Sequence, residues 1–188
     1  AGGEGDLSPF QAVVKTLWEC PKPLIGRIQG SAFGAGFGLV ACCDIAVAVD
    51  SAQFAVTELR VGLPPTLIAL ILQHKNLIGA ARAMLLTGER FGAEAALRLS
   101  LVHKVTAPRG LDAAVGAYCE QLLRCAPAAF AAAKEIQRTI PALTFGEGLR
   151  YLGGRLDEAM AAEEALEGKA AYLEKRAPRW VPGARKGR

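Results

Sequence analysis

Short apolar runs dominate the first third of the chain. Each run is bounded by Gly, Pro or Asp, which is the pattern of buried strands. A weaker run of the same kind follows later. The predicted strands are residues 24–29, 45–49, 53–56 and 101–105.

After Pro64-Pro65 the apolar residues recur every three or four positions, which predicts helices. Glycines interrupt the last helical region at 153–154 and at 168, where each costs about 1 kcal/mol relative to alanine. Breaks or bends are therefore expected there. The pattern predicts an α/β core at 1–110 and a helical portion at 111–188. The predicted helical segments run from Pro65 to about 86, then over 92–99, 111–123, 127–139 and 145–176.

A glycine-rich turn at 30–38, GSAFGAGFG, lies between the first two predicted strands and leads into a short helix at 39–43. Such a turn points backbone N–H groups at whatever lies above it, and the helix dipole adds positive character. It can therefore hold an anion. The candidates are a dinucleotide pyrophosphate and the oxyanion of an enolised thioester.

The dinucleotide alternative has some support, because Gly34-Ala35-Gly36 follows a strand and Asp50 lies 20 residues after Gly30. Two observations count against it. Four residues separate the strand end from Gly34, and about nine helical residues are too few for a typical crossover. The oxyanion interpretation is therefore favoured.

The composition of the chain argues against a membrane-spanning protein and against a zinc site. The chain has 188 residues, is 52% hydrophobic, and has no apolar run near the roughly 20 residues of a membrane span. Five cysteines without C-x-x-C spacing favour a reducing compartment over a zinc site, so we expect a cytoplasmic protein, or a matrix protein if eukaryotic. His74 and His103 have no metal-ligand spacing and are expected to be ordinary residues.

Net charge is +4, and basic residues concentrate at the C-terminal end. They either form a solvated tail or hold phosphates. Nucleic-acid binding is not expected, since no recognised motif accompanies the charge. Six of the 22 Lys and Arg residues fall in the last 14 positions: Lys175, Arg176, Arg179, Arg185, Lys186 and Arg188.

Several segments resemble the crotonase (enoyl-CoA hydratase/isomerase) family in order and spacing, over about 21–179. The resemblance is carried by KPLIGRIQG at 22–30, the glycine turn, LVACCD at 39–44, AQF at 52–54, Glu58, GLP at 62–64, LTGERF at 86–91 and AYLEKR at 171–176.

The resemblance implies an α/β crotonase-type spiral of ββα turns with an α-helical C-terminal trimerisation region. It also implies an acyl-CoA substrate and a homotrimer or homohexamer. No metal or cofactor is expected beyond the coenzyme A that forms part of the substrate, and no membrane partner is expected.

In that family the amide at the position of Ala35 is one of two oxyanion donors. The other belongs to an A-G-x-D segment that precedes the glycine turn, and Ala1-Gly2-Gly3 does not match it. We therefore expect further residues upstream, with the early strands and this loop.

Glu58 matches the family's second glutamate, which handles a proton at the α/β carbons. Gly38 is a departure, because two-glutamate hydratases carry Glu there, one turn after Ala35 and on the same helical face. Three interpretations remain open, of which hydration of a 2-enoyl-CoA is favoured and the isomerase is second. They are a single-glutamate hydratase, similar to the subgroup acting on methylglutaconyl-type or other branched enoyl-CoAs, a double-bond isomerase, and a non-catalytic acyl-CoA-binding subunit.

The resemblance also implies further substrate contacts. Tyr172 and Lys175 match residues that hold the adenine end and phosphates of coenzyme A. The predicted substrate-binding residues are Phe33, Gly34, Gly38, Thr57, Leu63, Pro64, Tyr172 and Lys175.

Overall fold

The computed structural model of the protein describes residues 7–184. Over this range the chain forms α-helices and β-strands and divides into two compact units between Gly116 and Ala117. The helices are α1 Pro9–Glu19, α2 Ala35–Cys42, α3 Thr66–His74, α4 Ile78–Thr87, α5 Ala93–Arg98, α6 Leu111–Leu122, α7 Pro127–Thr139, α8 Phe145–Ala161 and α9 Glu163–Leu173. The strands are β1 Ile25–Ile28, β2 Ala32–Phe33, β3 Ile45–Val49, β4 Gln53–Ala55, β5 Phe91–Gly92 and β6 Lys104–Thr106.

The first unit contains two strand pairs, β1-β2 and β3-β4, each followed by helical structure, and then β5, α5 and β6. The first strand of each pair joins β6 in a parallel sheet of order β1-β3-β6. The second joins a smaller sheet of order β2-β4-β5, in which β2 and β4 are parallel and β5 is antiparallel to β4. This ββα alternation confirms the predicted α/β class.

Strand β3 forms the centre of the larger sheet. Its residues Ala46, Val47 and Ala48 are completely buried, as expected for a parallel strand that is covered on both faces. The continuous apolar run explains why the prediction for this strand is correct at both ends. The strand predicted at 101–105 begins instead at Lys104.

Three elements were not predicted from the sequence. Strands β2 and β5 have two residues each, too short for a periodicity, and β2 lies within the predicted glycine turn. Helix α1 begins with a capping box, in which Ser8 and Gln11 accept each other's backbone N–H groups, and Pro9 follows the cap. That signal is present in the sequence.

The helical segment predicted to reach residue 86 is two helices, α3 and α4. Between them Asn76 adopts a left-handed conformation with φ 57°, which ends the first helix. Asparagine tolerates this conformation better than most residues.

In the second unit, the breaks expected at glycine are wrong. Helix α8 continues through Gly153 and Gly154, and α9 continues through Gly168. The interruption lies at Ala162, which has extended backbone. At Gly168 the missing side chain has a purpose, since a Cβ there would lie 3.3 Å from the Trp180 ring.

No helix within residues 7–184 combines the length and apolar character needed to cross a membrane.

His103 joins β6 to β3 through two hydrogen bonds with Ala46. Its backbone N–H donates to Ala46 O at 2.7 Å, and its ring Nδ1 accepts from Ala46 N–H at 3.0 Å. Burial, and then the charge of Lys75, lower the pKa of His103 below its usual 6.5. The neutral ring is therefore the form that the fold needs.

Because protonation is easier in the unfolded chain than in the folded one, stability should be fully present above about pH 6.5 and fall as the pH drops below it. We expect His103→Leu to cost about 1–3 kcal/mol at pH 8, since Ala46 N–H loses its acceptor. The stability of the variant should also fall less than that of the unaltered protein between pH 8 and pH 5. Thermal melts across this range measure both effects.

The control is His74→Gln, at an exposed histidine beside Trp18. It should keep the decline of the unaltered protein. A His103→Leu variant with an unchanged decline would contradict the assignment.

Candidate active site

The pairing of β2 with β4 brings the start of α2 to the end of β4. Phe33 lies opposite Ala55 in the parallel register, and the next residue, Gly34, donates its N–H to Ala55 O at 3.0 Å. Glu58 follows Ala55 by three residues. Two segments that are 24 positions apart in the sequence therefore meet, with the glycine turn on one side and Glu58 on the other.

Gly34 makes this close approach possible. Its φ of 51° lies in the region that residues with a Cβ rarely adopt. A Cβ built there would lie 3.3 Å from Thr57 Oγ1 and 3.4 Å from Glu58 Oε1. The predicted residues Gly34, Thr57 and Glu58 are thus brought together.

Ala35 is the first residue of α2 and is exposed. Its N–H cannot donate to a preceding helical carbonyl. Among residues 7–184 no side chain caps this helix end, and no acidic residue lies in its first turn. The helix end can therefore stabilise a negative charge that develops on a ligand.

Glu58 begins a short 3-10 turn, Glu58–Val61, which is closed by Leu63 N–H donating to Glu58 O at 3.0 Å. Its Oε2 is buried and has no hydrogen-bond partner among the described residues. A buried carboxylate oxygen without a donor is unfavourable in a protein interior. Such an oxygen is suited to accept a proton or hydrogen bond from a ligand.

Gly38 faces a different environment. It is buried, and a Cβ there would lie 3.6 Å from Ile68 Cγ1 and 4.0 Å from Phe10 Cζ. No atom of Glu58 lies within 4 Å of that Cβ. Helices α1 and α3 therefore place apolar atoms where a second carboxylate would begin.

Comparison with known proteins agrees with this geometry. The family profile of enoyl-CoA hydratase/isomerase matches residues 6–182. The chain belongs to the enoyl-CoA hydratase/isomerase family. As a crotonase it shares the fold of an enoyl-CoA hydratase from Shewanella pealeana, with a TM-score of 0.84 and 33% identity over 91% of this chain and 64% of that one. Pseudomonas aeruginosa AtuE gives a TM-score of 0.85 and 33% identity, over 92% of this chain and 67% of that one.

Among relatives of this crotonase, a protein named carnitinyl-CoA dehydratase from Salmonella arizonae is 38% identical over 87% of this chain. Its counterpart from Escherichia coli K12 is 36% identical over the same share. In both comparisons the chain spans 65% of the relative's length.

The remaining predicted residues of the first unit are Phe33, Leu63 and Pro64. Arg90 lies 5.0 Å from the centre of the Phe33 ring, a cation–π distance. Leu63 and Pro64 are exposed. The contact between Arg90 and Phe33 was not predicted from the sequence.

In the second unit Tyr172 and Lys175 are exposed at the end of α9. Arg176 and Arg179 are held by Glu167, so they do not form a simple solvated tail. Arg185, Lys186 and Arg188 lie outside the described residues.

Phe10 and Ile68, which lie beside Gly38, were not predicted as part of the site either. The capping box of α1 was an available signal for the helix that carries Phe10. Its packing against α2 is a tertiary contact that no local pattern reveals.

We expect Gly34→Ala to destabilise the crotonase by about 1–3 kcal/mol, since a Cβ is strained at this φ. The added Cβ would also crowd the Thr57 hydroxyl at 3.3 Å, next to Glu58, so initial rates should fall. Gly36→Ala is the control, because Gly36 lies in α2 and its Cβ would meet only Ala32 Cβ at 3.9 Å.

Thermal melts and initial rates on the two variants test the difference. Equal behaviour of the two would show that Gly34 has no special part in the site.

Proposed function

We propose that this crotonase adds water to, or removes it from, an acyl-CoA thioester. The Ala35 amide stabilises the thioester oxyanion, and Glu58 moves the proton. The observation that supports this most is the buried, unpartnered Glu58 Oε2 beside the uncapped start of α2.

One carboxylate can carry out both proton transfers of the reaction. In hydration, Glu58 removes a proton from water as the oxygen bonds to the β carbon. The electron pair of the double bond moves into the thioester carbonyl, giving an enolate that the Ala35 N–H stabilises. Glu58 then returns the same proton to the α carbon. Removal of water follows these steps in reverse.

For the acyl group we propose a branched or substituted 2-enoyl chain. The sequence resemblance to the methylglutaconyl-type subgroup supports this, as do the relatives named carnitinyl-CoA dehydratase.

The proposed chemistry uses no cofactor, because coenzyme A is part of the substrate. Tyr172 and Lys175 are proposed to hold its adenine and phosphates. A cytoplasmic location is proposed from the five free cysteines.

A rate survey with simple, branched and carnitinyl-type acyl-CoAs tests the substrate class. Movement of a double bond without net water addition would favour the isomerase alternative.

Glu58→Gln should lower kcat by at least about 10³-fold, since a sole proton carrier lies toward the upper end of general acid–base contributions. Acyl-CoA affinity should change little, because Gln keeps the size and polarity of the side chain. The measurement is kcat on the best substrate of the survey, with Kd from calorimetry.

The double variant that carries Gly38→Glu and Glu58→Gln provides a second test. Its carboxylate would begin against Ile68 and Phe10, so we expect no recovery of rate. A loss below tenfold in Glu58→Gln would move the preference to a non-catalytic acyl-CoA-binding subunit.

We also propose that the chain forms a homotrimer or homohexamer through its second unit. On α8, Phe145, Leu149, Leu156 and Met160 are all exposed. Their spacings of four, seven and four residues place them on one helical face. A continuous exposed apolar stripe of this kind is typical of a surface that associates.

Leu149→Glu should shift the protein toward monomer, because a charge within this stripe would be desolvated on association. Arg150→Glu introduces the same side chain one position away, about 100° around the helix, and should leave the oligomer intact. Light scattering coupled to gel filtration gives the mass of each. If Leu149→Glu assembled like the unaltered chain, the stripe would not be the interface.

A further inference from the structure

The segment that follows α9 is fixed to that helix by a buried carboxylate. Glu167 is only 8% exposed and accepts from Arg176 Nη1 at 2.6 Å and Nη2 at 3.1 Å. It also accepts from the backbone N–H of Arg179 at 2.9 Å. One side chain therefore fixes two points of the returning segment.

Between Glu167 and Arg176 the helix ends in an unusual way. Lys175 has φ 53°, a left-handed conformation that helices usually give to glycine at this position. Arg176 N–H donates to Ala171 O at 3.0 Å, and Lys175 N–H to Tyr172 O at 3.2 Å. The Arg176–Glu167 pair thus closes the turn in which Lys175 lies.

The pair is charged under ordinary conditions. Hydrogen bonds from the Arg176 side chain, with that from Arg179 N–H, lower the pKa of Glu167 to about 2. Arg176 also donates to Glu174 at 2.6 Å. The Glu167–Arg176 ion pair therefore holds the turn throughout the neutral pH range.

We propose that Glu167 and Arg176 are positioning residues for the coenzyme A nucleotide, acting through Lys175 and Tyr172. This inference rests on the proposed function of the chain. A cation on a fixed backbone loses less conformational freedom when it binds a phosphate, so a rigid turn raises affinity. Glycine would adopt this conformation with less strain, but it would provide no charge.

A double-mutant cycle tests the inference, with coenzyme A as the titrant and Kd from calorimetry. Lys175→Ala and Arg176→Met should each weaken binding by about tenfold, the scale of one charged hydrogen bond. The double variant should be little weaker than either single one, because both changes remove the same contact. The thermal midpoint of Lys175→Ala should stay nearly unchanged.

Arg155→Met is the matched control. Arg155 pairs with Glu135 and Glu158 elsewhere in the second unit and is equally exposed, 28% against 29% for Arg176. Its loss should leave Kd unchanged. Glu167→Gln should reproduce the Arg176→Met loss and serves in its place if that variant does not fold.

Unchanged affinity in Arg176→Met and Glu167→Gln would overturn the inference and leave the proposed function standing. Losses that multiply to about a hundredfold in the double variant would also overturn it, because independent effects add in free energy. Failure of the unaltered protein to bind coenzyme A would overturn the proposed function and the inference together.

Discussion

The hydrogen bond from Gly34 N–H to Ala55 O is the contact on which the candidate site depends. It continues the β2–β4 pairing by one residue, so the start of α2 is aligned with the end of β4. This alignment positions the Ala35 amide and the Glu58 carboxylate. A side chain at Gly34 would meet Thr57 and Glu58, so glycine there is a condition of the arrangement.

Local patterns were sufficient for the elements with long or continuous signals. The predicted strand at 45–49 matches β3 because it is apolar throughout, and α7 matches because its helical spacing is bounded by Pro127. Two-residue strands carry no period, so β2 and β5 could not be found in this way. The glycines of α8 have small costs that the rest of the helix offsets, which explains the wrong break at 153–154.

The site was predictable only in part. The glycine turn indicated an anion site from its own chemistry, whereas the role of Glu58 came from the family resemblance. Its proximity to Gly34 depends on strand pairing across 24 positions, which no local pattern encodes. The apolar surroundings of Gly38 come from Phe10 and Ile68, on two helices distant from it in sequence. These apolar surroundings are a physical reason why the site contains the Glu58 carboxylate but no second carboxylate at position 38.

The close packing of Trp180 against Gly168 has a practical consequence. Trp180 Nε1 donates to Arg124 O at 3.0 Å, and the ring covers α9 at a point without a side chain. The second tryptophan of the chain, Trp18, lies in the first unit beside His74. Each compact unit therefore has its own intrinsic fluorophore. Emission from single-tryptophan proteins would separate the unfolding of one unit from that of the other and show whether the chain melts in one cooperative step.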